Sequence, residues 1–150
     1  MDRMNKHEYY LNIADAVSKR STCLRRNYGA VIVKNDEIIA TGYTGSPRGE
    51  ENCSETGVCE RERLNVPQGQ RYELCCSVHA EMNAIISASR KDMIGSVLYL
   101  SGRDAKTGEL IDAQPCDICS RLIKNAGIYQ VIGSKSRNKK LKILIQSEGN

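Results

Sequence analysis

Two short strings hold residues whose types and spacing suit chemistry: His79-Ala80-Glu81 and Pro115-Cys116-Asp117-Ile118-Cys119. Cys116 and Cys119 stand three apart at an expected helix start, which places both sulfurs on one face. Unpaired N–H groups and the helix dipole there favour thiolate over thiol, and thiolate is the form that binds zinc. Pro115 suits a helix entry, where its missing N–H costs no intrahelical bond. His79 adds an imidazole from the start of a second expected helix. Three protein ligands leave one tetrahedral position open to water, as in a catalytic zinc site, whereas four would close it. Two thiolates neutralise the formal charge of the metal and weaken its pull on water. A base is then needed nearby, and Glu81 is the available one. It can take a proton from water and return it to a leaving group. Taken singly, a Cys-x-x-Cys pair with a distant His also reads as a structural zinc site, and a lone Glu as a surface group.

The elements that must position these residues can be read from periodicity. Lys6 to Ser21 reads as a helix, with Tyr10, Ile13, Ala14 and Val17 at helical spacing. Tyr28 to Val33 and Glu37 to Thr41 read as a β-hairpin around Lys34-Asn-Asp36. Gly42 to Ser77 is a long segment rich in Gly, Pro and Cys, uncommon without a function or an internal staple. Val78 to Arg90 reads as a helix and Ser96 to Leu100 as a strand. Ser101 to Gln114 reads as an excursion with a small hairpin around Lys106-Thr-Gly108. Cys116 to Ala126 is a third helix with Gly127 as its cap. Tyr129 to Ile132 is a strand, and Leu141 to Gln146 a last strand at the sheet edge. This order, α-β-β-α-β-α-β, predicts a mixed sheet with helices on its faces. Both motif-bearing helices begin just after a loop, so their starts can converge.

The 150 residues favour one compact domain. Lys plus Arg is 22 and Asp plus Glu is 18, a net charge of +4. That suits an anionic ligand such as a nucleotide and is too small to argue for nucleic acid by itself. The basic run Lys135 to Lys142 reads as a solvated loop or tail. Seven cysteines form an odd set. With no secretory leader and no apolar stretch of membrane-spanning length, they point to a cytoplasmic protein whose cysteines mostly serve metal. Phe and Trp are absent, so the core must rest on Ile, Leu, Val, Ala and Tyr.

His-x-Glu with Pro-Cys-x-x-Cys is a known signature of zinc deaminases. Further strings narrow the resemblance: Arg20-Ser-Thr-Cys23, Gly29-Ala-Val-Ile-Val33, Ile39-Ala-Thr-Gly-Tyr-Thr-Gly-Ser-Pro47, Asn52-Cys53, His79-Ala-Glu-Met-Asn-Ala-Ile85 and Asn125-Ala-Gly-Ile128. With these, the chain resembles the deoxycytidylate (dCMP) deaminases of the cytidine-deaminase superfamily over nearly its whole length. The resemblance implies a three-layer α/β/α fold with a central mixed sheet of about five strands. Residues 1–150 would form a single zinc-dependent domain. The implied reaction is hydrolysis of dCMP to dUMP and ammonia, with Glu81 catalytic and His79, Cys116 and Cys119 on the zinc. Homo-oligomeric assembly and nucleotide effectors are further implications. Thr44 stands where the family's Gly-Tyr-Asn-Gly loop has Asn, and it has shorter reach and no amide. Ser101 to Gln114 lengthens a link that is usually short.

For the substrate, Arg26 and the loop Thr44-Gly45-Ser46 are expected to grip the phosphate. The Ala80 N–H is expected to meet the pyrimidine carbonyl, and Asn83 reads as structural. Some dCMP deaminases carry a second, structural zinc, and Cys23 and Cys53 sit at matching places. Cys59 and Cys75 would complete a four-thiolate site stapling the long segment. Cys75 is chosen over Cys76 because adjacent cysteines rarely aim at one metal; free buried thiols are the alternative. Two other readings stand: a deaminase of cytidine, guanine or a tRNA base, and a zinc-stabilised nucleic-acid-binding module without activity.

Overall fold

The computed structural model describes residues 2–136 and, as backbone, Lys142–Gln146. Helix α1 (Lys6–Ser18) starts at Asn5, whose side chain accepts from the Glu8 N–H, and ends before the expected Ser21. Strands β1 (Arg26–Lys34) and β2 (Glu37–Tyr43) pair antiparallel. The turn between them places Asn35 and Asp36 at φ 52° and 62°. These two types tolerate the left-handed conformations a tight hairpin turn demands. The Tyr10 hydroxyl donates to the Asp36 carboxylate at 2.5 Å and ties the turn to α1.

The long segment that follows holds only short pieces: α2 (Cys53–Thr56), α3 (Glu60–Arg63) and a 3-10 turn at Tyr72–Leu74. The expected helix from Val78 to Arg90 is in fact two helices, α4 (Ala80–Ile86) and α5 (Arg90–Met93). Serine chemistry explains the break. Ser87 Oγ donates back to the Asn83 carbonyl, and the Ser89 side chain caps α5 by accepting from the Asp92 N–H. Strand β3 (Val97–Asp104) runs longer than expected, and the excursion returns through β4 (Leu110–Ile111) as the anticipated small hairpin. Then come α6 (Asp117–Ala126), ended by Gly127 at φ 84°, β5 (Gln130–Gly133) and β6 (Lys142–Gln146).

The main sheet order is β2-β1-β3-β5-β6, with β4 attached to β3. β3 and β5 are parallel and the other pairs antiparallel, so the sheet is mixed as expected. Side-chain alternation assigns the two faces. Ala30, Ile32, Leu98, Leu100 and Val131 pack with α4 and α6, while Val31, Val33, Tyr99 and Ile132 pack with α1. The result is the three-layer α/β/α arrangement. Each large aliphatic buried here contributes about 1.5–3 kcal/mol. Helix α6 offers Cys119, Ile123 and Ala126 to the core at helical spacing, so one stripe both anchors the helix and carries a thiol inward. Gly42 lets α4 lie directly on β2: a Cβ there would meet Ala80 O and Ala84 N at 2.4 Å. Gly29 does the same for α1, where a Cβ would stand 2.1 Å from Ala14 O.

Of the basic run Lys135 to Lys142, residues 137–141 lie outside the described residues. Among the described residues no helix is long and apolar enough to cross a membrane.

Candidate active site

The starts of α4 and α6 converge. His79 is the residue before α4 and Cys116 the residue before α6, both in extended conformation. The Cys116 sulfur accepts from the Cys119 N–H at 3.4 Å, which caps α6. His79 Nδ1 lies 3.6 Å from Cys116 Sγ and 3.4 Å from Cys119 Sγ. All three donor atoms fall within 4.8 Å of one another, the one such group of His, Cys, Asp and Glu among the described residues. A tetrahedral zinc with Zn–N of about 2.0 Å and Zn–S of about 2.3 Å sets its N and S ligands about 3.5 Å apart. The donor set and its spacing therefore fit zinc.

The electrostatics follow from crowding. The Cys116 thiol is brought down to about 4, chiefly by the hydrogen bond from Cys119, with the His79 imidazole adding to it. That same hydrogen bond, together with burial, pushes Cys119 up. The Cys116 thiolate in turn raises His79. Metal binding requires both cysteines as thiolates, so it favours proton release from the raised Cys119. Glu81 is 4% exposed. Burial pushes its carboxyl above the ordinary carboxylate range, as suits a group that shuttles protons near neutrality.

His79, Glu81 and Cys116 line an open cleft of about 140 Å³ together with Arg26, Tyr28 and Thr44. A cavity of roughly this size holds one benzene ring. Thr44 is buried and its Oγ1 has no hydrogen-bond partner, nor does the Ser77 Oγ on the same cleft. A buried hydroxyl without a partner is costly unless a ligand completes it, and the structure places Thr44, one of the expected substrate contacts, on the cleft. Arg26 also reaches the cleft as expected. Gly45 and Ser46 do not line the cleft. Gly45 exchanges backbone bonds with Val78, and the Ser46 N–H donates to Asn52 Oδ1. These backbone donors hold the loop, and the Ser46 hydroxyl lies 3.6 Å from Cys76 Sγ. Ala80 is fully buried at the first turn of α4, where backbone N–H groups lack intrahelical acceptors. Asn83 donates to the Tyr43 carbonyl at 2.8 Å, the structural part expected of it.

Sequence reasoning missed Arg61, Gln68 and Tyr72, which also line the cleft. Arg61 is buried, donates to the carbonyls of Gln70 and Pro67 at 3.2 and 3.3 Å, and lies 4.6 Å above the Tyr72 ring. Tyr72 meets the His79 ring edge-on at 5.6 Å. No periodicity or spacing marks these residues; the length of the segment was the one available sign.

The remaining cysteines lie near one another, with Cys23, Cys75 and Cys76 all close enough to Cys53 to raise its thiol. Cys23, Cys59 and Cys75 line the cleft, while the buried Cys53 contacts Cys76, sulfur to sulfur, at 3.5 Å. The chosen set Cys23, Cys53, Cys59 and Cys75 does not gather within ligating distance. At Cys53 the contacting thiol is Cys76 and not Cys75, because the chain turning out of Tyr72–Leu74 carries Cys76 toward α2. Burial, reinforced by Cys76, raises the Cys53 thiol to about 12.

Residues 4–135 match the family described as the cytidine and deoxycytidylate deaminase zinc-binding region. The chain belongs to this family. Among deaminase relatives it is 39% identical to the deoxycytidylate deaminase of Mycobacterium phage D29, over 90% of this chain and 98% of that protein. It is 36% identical to the deoxycytidylate deaminase of Schizosaccharomyces pombe, over 87% of this chain but only 37% of that longer protein. The crystal structure of the dCMP deaminase from cyanophage S-TIM5 in complex with dCMP and dUMP superposes with a TM-score of 0.61 at 29% identity, covering 87% of this chain and 83% of that one.

Proposed function

We propose that this chain is a zinc-dependent hydrolase converting dCMP to dUMP and ammonia. The observation that carries the reading is the His79–Cys116–Cys119 cluster beside the buried Glu81, in a ring-sized cleft that Arg26 also lines. The similarity to deoxycytidylate deaminases supports dCMP over other amino-bearing bases. Residues 1–150 act as one deaminase domain.

His79, Cys116 and Cys119 hold the zinc. When bound, the metal lowers the pKa of a water in its open position. Glu81 would take one proton from the attacking water and give it to the ring nitrogen as the water oxygen bonds the amino-bearing carbon; it would then move the second proton of that water from the new hydroxyl to the amine, so that the C–N bond breaks and ammonia leaves. The raised proton affinity of Glu81 suits both directions of transfer. Thr44 Oγ1 and the first-turn N–H of Ala80 hydrogen-bond the base, and Arg26 meets the 5′-phosphate at the mouth.

A second, structural zinc belongs to the same proposal, with its ligands drawn from the five thiols of the long segment and the end of α1. Cys53 and Cys76 are its nucleus, because two thiolates on a tetrahedral zinc stand roughly 3.8 Å apart and this pair stands at 3.5 Å. The protein works in the cytoplasm as a homo-oligomer. The exposed Ile86 on α4 and Ile118 and Leu122 on α6 supply apolar surface for a second copy. Nucleotide effectors remain part of the reading.

Ammonia release measured in parallel from dCMP, deoxycytidine, CMP, guanine and tRNA, with metal analysis of the same sample, tests all of this. The expected outcome is preference for dCMP and about two zinc per chain. Failure on dCMP with success on another base keeps the chemistry and overturns the substrate. A zinc content near one rejects the second site.

A further inference from the structure

Three arginines line the cleft, and their partners differ in charge. Arg25 pairs with the Glu62 carboxylate at 3.4 Å. Arg61 is engaged by two carbonyls and the Tyr72 ring. Arg26 is gripped by a neutral group. With its oxygen toward the guanidinium, the Gln68 carboxamide accepts from Arg26 Nη1 at 2.7 Å and Nη2 at 2.8 Å. The Tyr28 phenol lines the cleft beside the same guanidinium, whose charge offsets part of the rise that burial imposes on it. Asp104 stands across the ladder from Arg26, but its Oδ1 is held by the N–H groups of Lys106 and Thr107.

Gln68 is itself held in place. It lies in the turn 67–70, which the Gln70 N–H closes on the Pro67 carbonyl at 3.2 Å. The buried Arg61 binds the carbonyls at both ends of that turn. The turn is therefore clamped from beneath, and Gln68 projects from it onto Arg26.

A glutamate at this position would make the same two-point contact and cancel the charge of Arg26. The amide fixes the guanidinium plane without itself cancelling the charge of Arg26, which is felt by the Asp104 carboxylate across the ladder. We propose that Gln68 is a positioning residue for substrate specificity: by holding Arg26 with a neutral acceptor, it keeps a fixed cation at the cleft mouth for the 5′-phosphate of the nucleotide. The inference rests on the reading of Arg26 as the phosphate contact, and the experiment separates the two.

The zinc-loaded enzyme and its Arg26→Gln, Gln68→Glu and Gln68→Ala variants are assayed with dCMP and with deoxycytidine. Inhibition by dUMP and by deoxyuridine gives the same comparison without turnover. Arg26→Gln is expected to lower the dCMP-to-deoxycytidine ratio of kcat/KM by about 100-fold. Gln68→Glu is expected to lower it at least about 10-fold, as a rise in KM for dCMP, and Gln68→Ala about 3-fold. Equal losses on both substrates in Arg26→Gln overturn the phosphate reading. A discriminating Arg26→Gln beside Gln68→Glu and Gln68→Ala variants that keep the wild-type ratio overturns the role of Gln68 alone. Gln68 is exposed, so all variants are expected to keep zinc content and fold. Should Gln68→Glu fold poorly, Gln68→Ala decides by the same ratio.

Discussion

The molecule holds its two groups of cysteines in opposite ways. Cys116 and Cys119 ride on α6, whose buried stripe locks it to the sheet, and His79 rides on the start of α4, seated on β2 at Gly42. These donors are brought to zinc-ligand spacing by the fold itself. Cys53, Cys59, Cys75 and Cys76 lie between Gly42 and Ser77, where helices are four residues long or less and the buried positions are few. There the backbone is held by side-chain contacts such as Asn52, which accepts from Thr22 Oγ1 and from the Ser46 N–H. A site preorganised by regular elements can be selected for chemistry, because its geometry survives without the metal. A site in irregular chain must draw its order from whatever binds it. The same contrast extends to the cleft, which the framework lines with His79, Cys116 and Arg26 and the segment lines with Arg61, Gln68 and Tyr72.

The hardest test of this division falls on the framework. Glu81→Gln preserves shape and removes the titrating group. Ammonia release is expected to fall by about 10²–10⁴-fold, the usual range for losing a general acid–base, with zinc content unchanged. Near-full activity would remove Glu81 from proton transfer and leave the cluster a structural site. Next in size is Gly42→Ala. The added methyl would meet two backbone atoms of α4 at 2.4 Å, so the helix must move. Overpacking of this kind costs about 1–3 kcal/mol. We expect a lower midpoint of thermal unfolding together with weaker retention of the catalytic zinc against a chelator. A variant that loses stability but keeps its zinc would show that β2 does not set the His79 position.

The framework was the legible half. The hairpin, α6 with its glycine cap, the β3–β4 excursion and the mixed sheet follow from periodicity and turn chemistry, and each stands close to where the sequence places it. The clustering of His79, Cys116 and Cys119 was legible because metal chemistry restricts residue type and spacing so tightly. Sequence reasoning ran α4 into α5, because two serines that bond back to the backbone look the same as two that do not. It left unforeseen the long-range bridge to Val78 and the Asn52 side chain that take up the backbone donors of Gly45 and Ser46. It also overlooked Arg61, Gln68 and Tyr72. Their placement depends on how an irregular segment folds back across the cleft, and nothing local encodes that. The contact of Cys53 with Cys76 is of the same kind.

The smallest effect probes the segment itself. Gly57 ends α2 at φ 73°, and a Cβ there would meet nothing within 4 Å. Gly57→Ala therefore adds no clash and costs only the left-handed conformation, about 1–2 kcal/mol. If the segment opens independently of the sheet, this cost is local. Amide exchange across 53–77 should then quicken several-fold while the global unfolding midpoint stays within about a degree or two. The opposite result, a lowered global midpoint with unchanged local exchange, would mean that segment and framework unfold as one unit. In that case the thiols, with or without zinc, already fasten the segment to the framework, and the difference between the two cysteine groups would be one of geometry and not of stability.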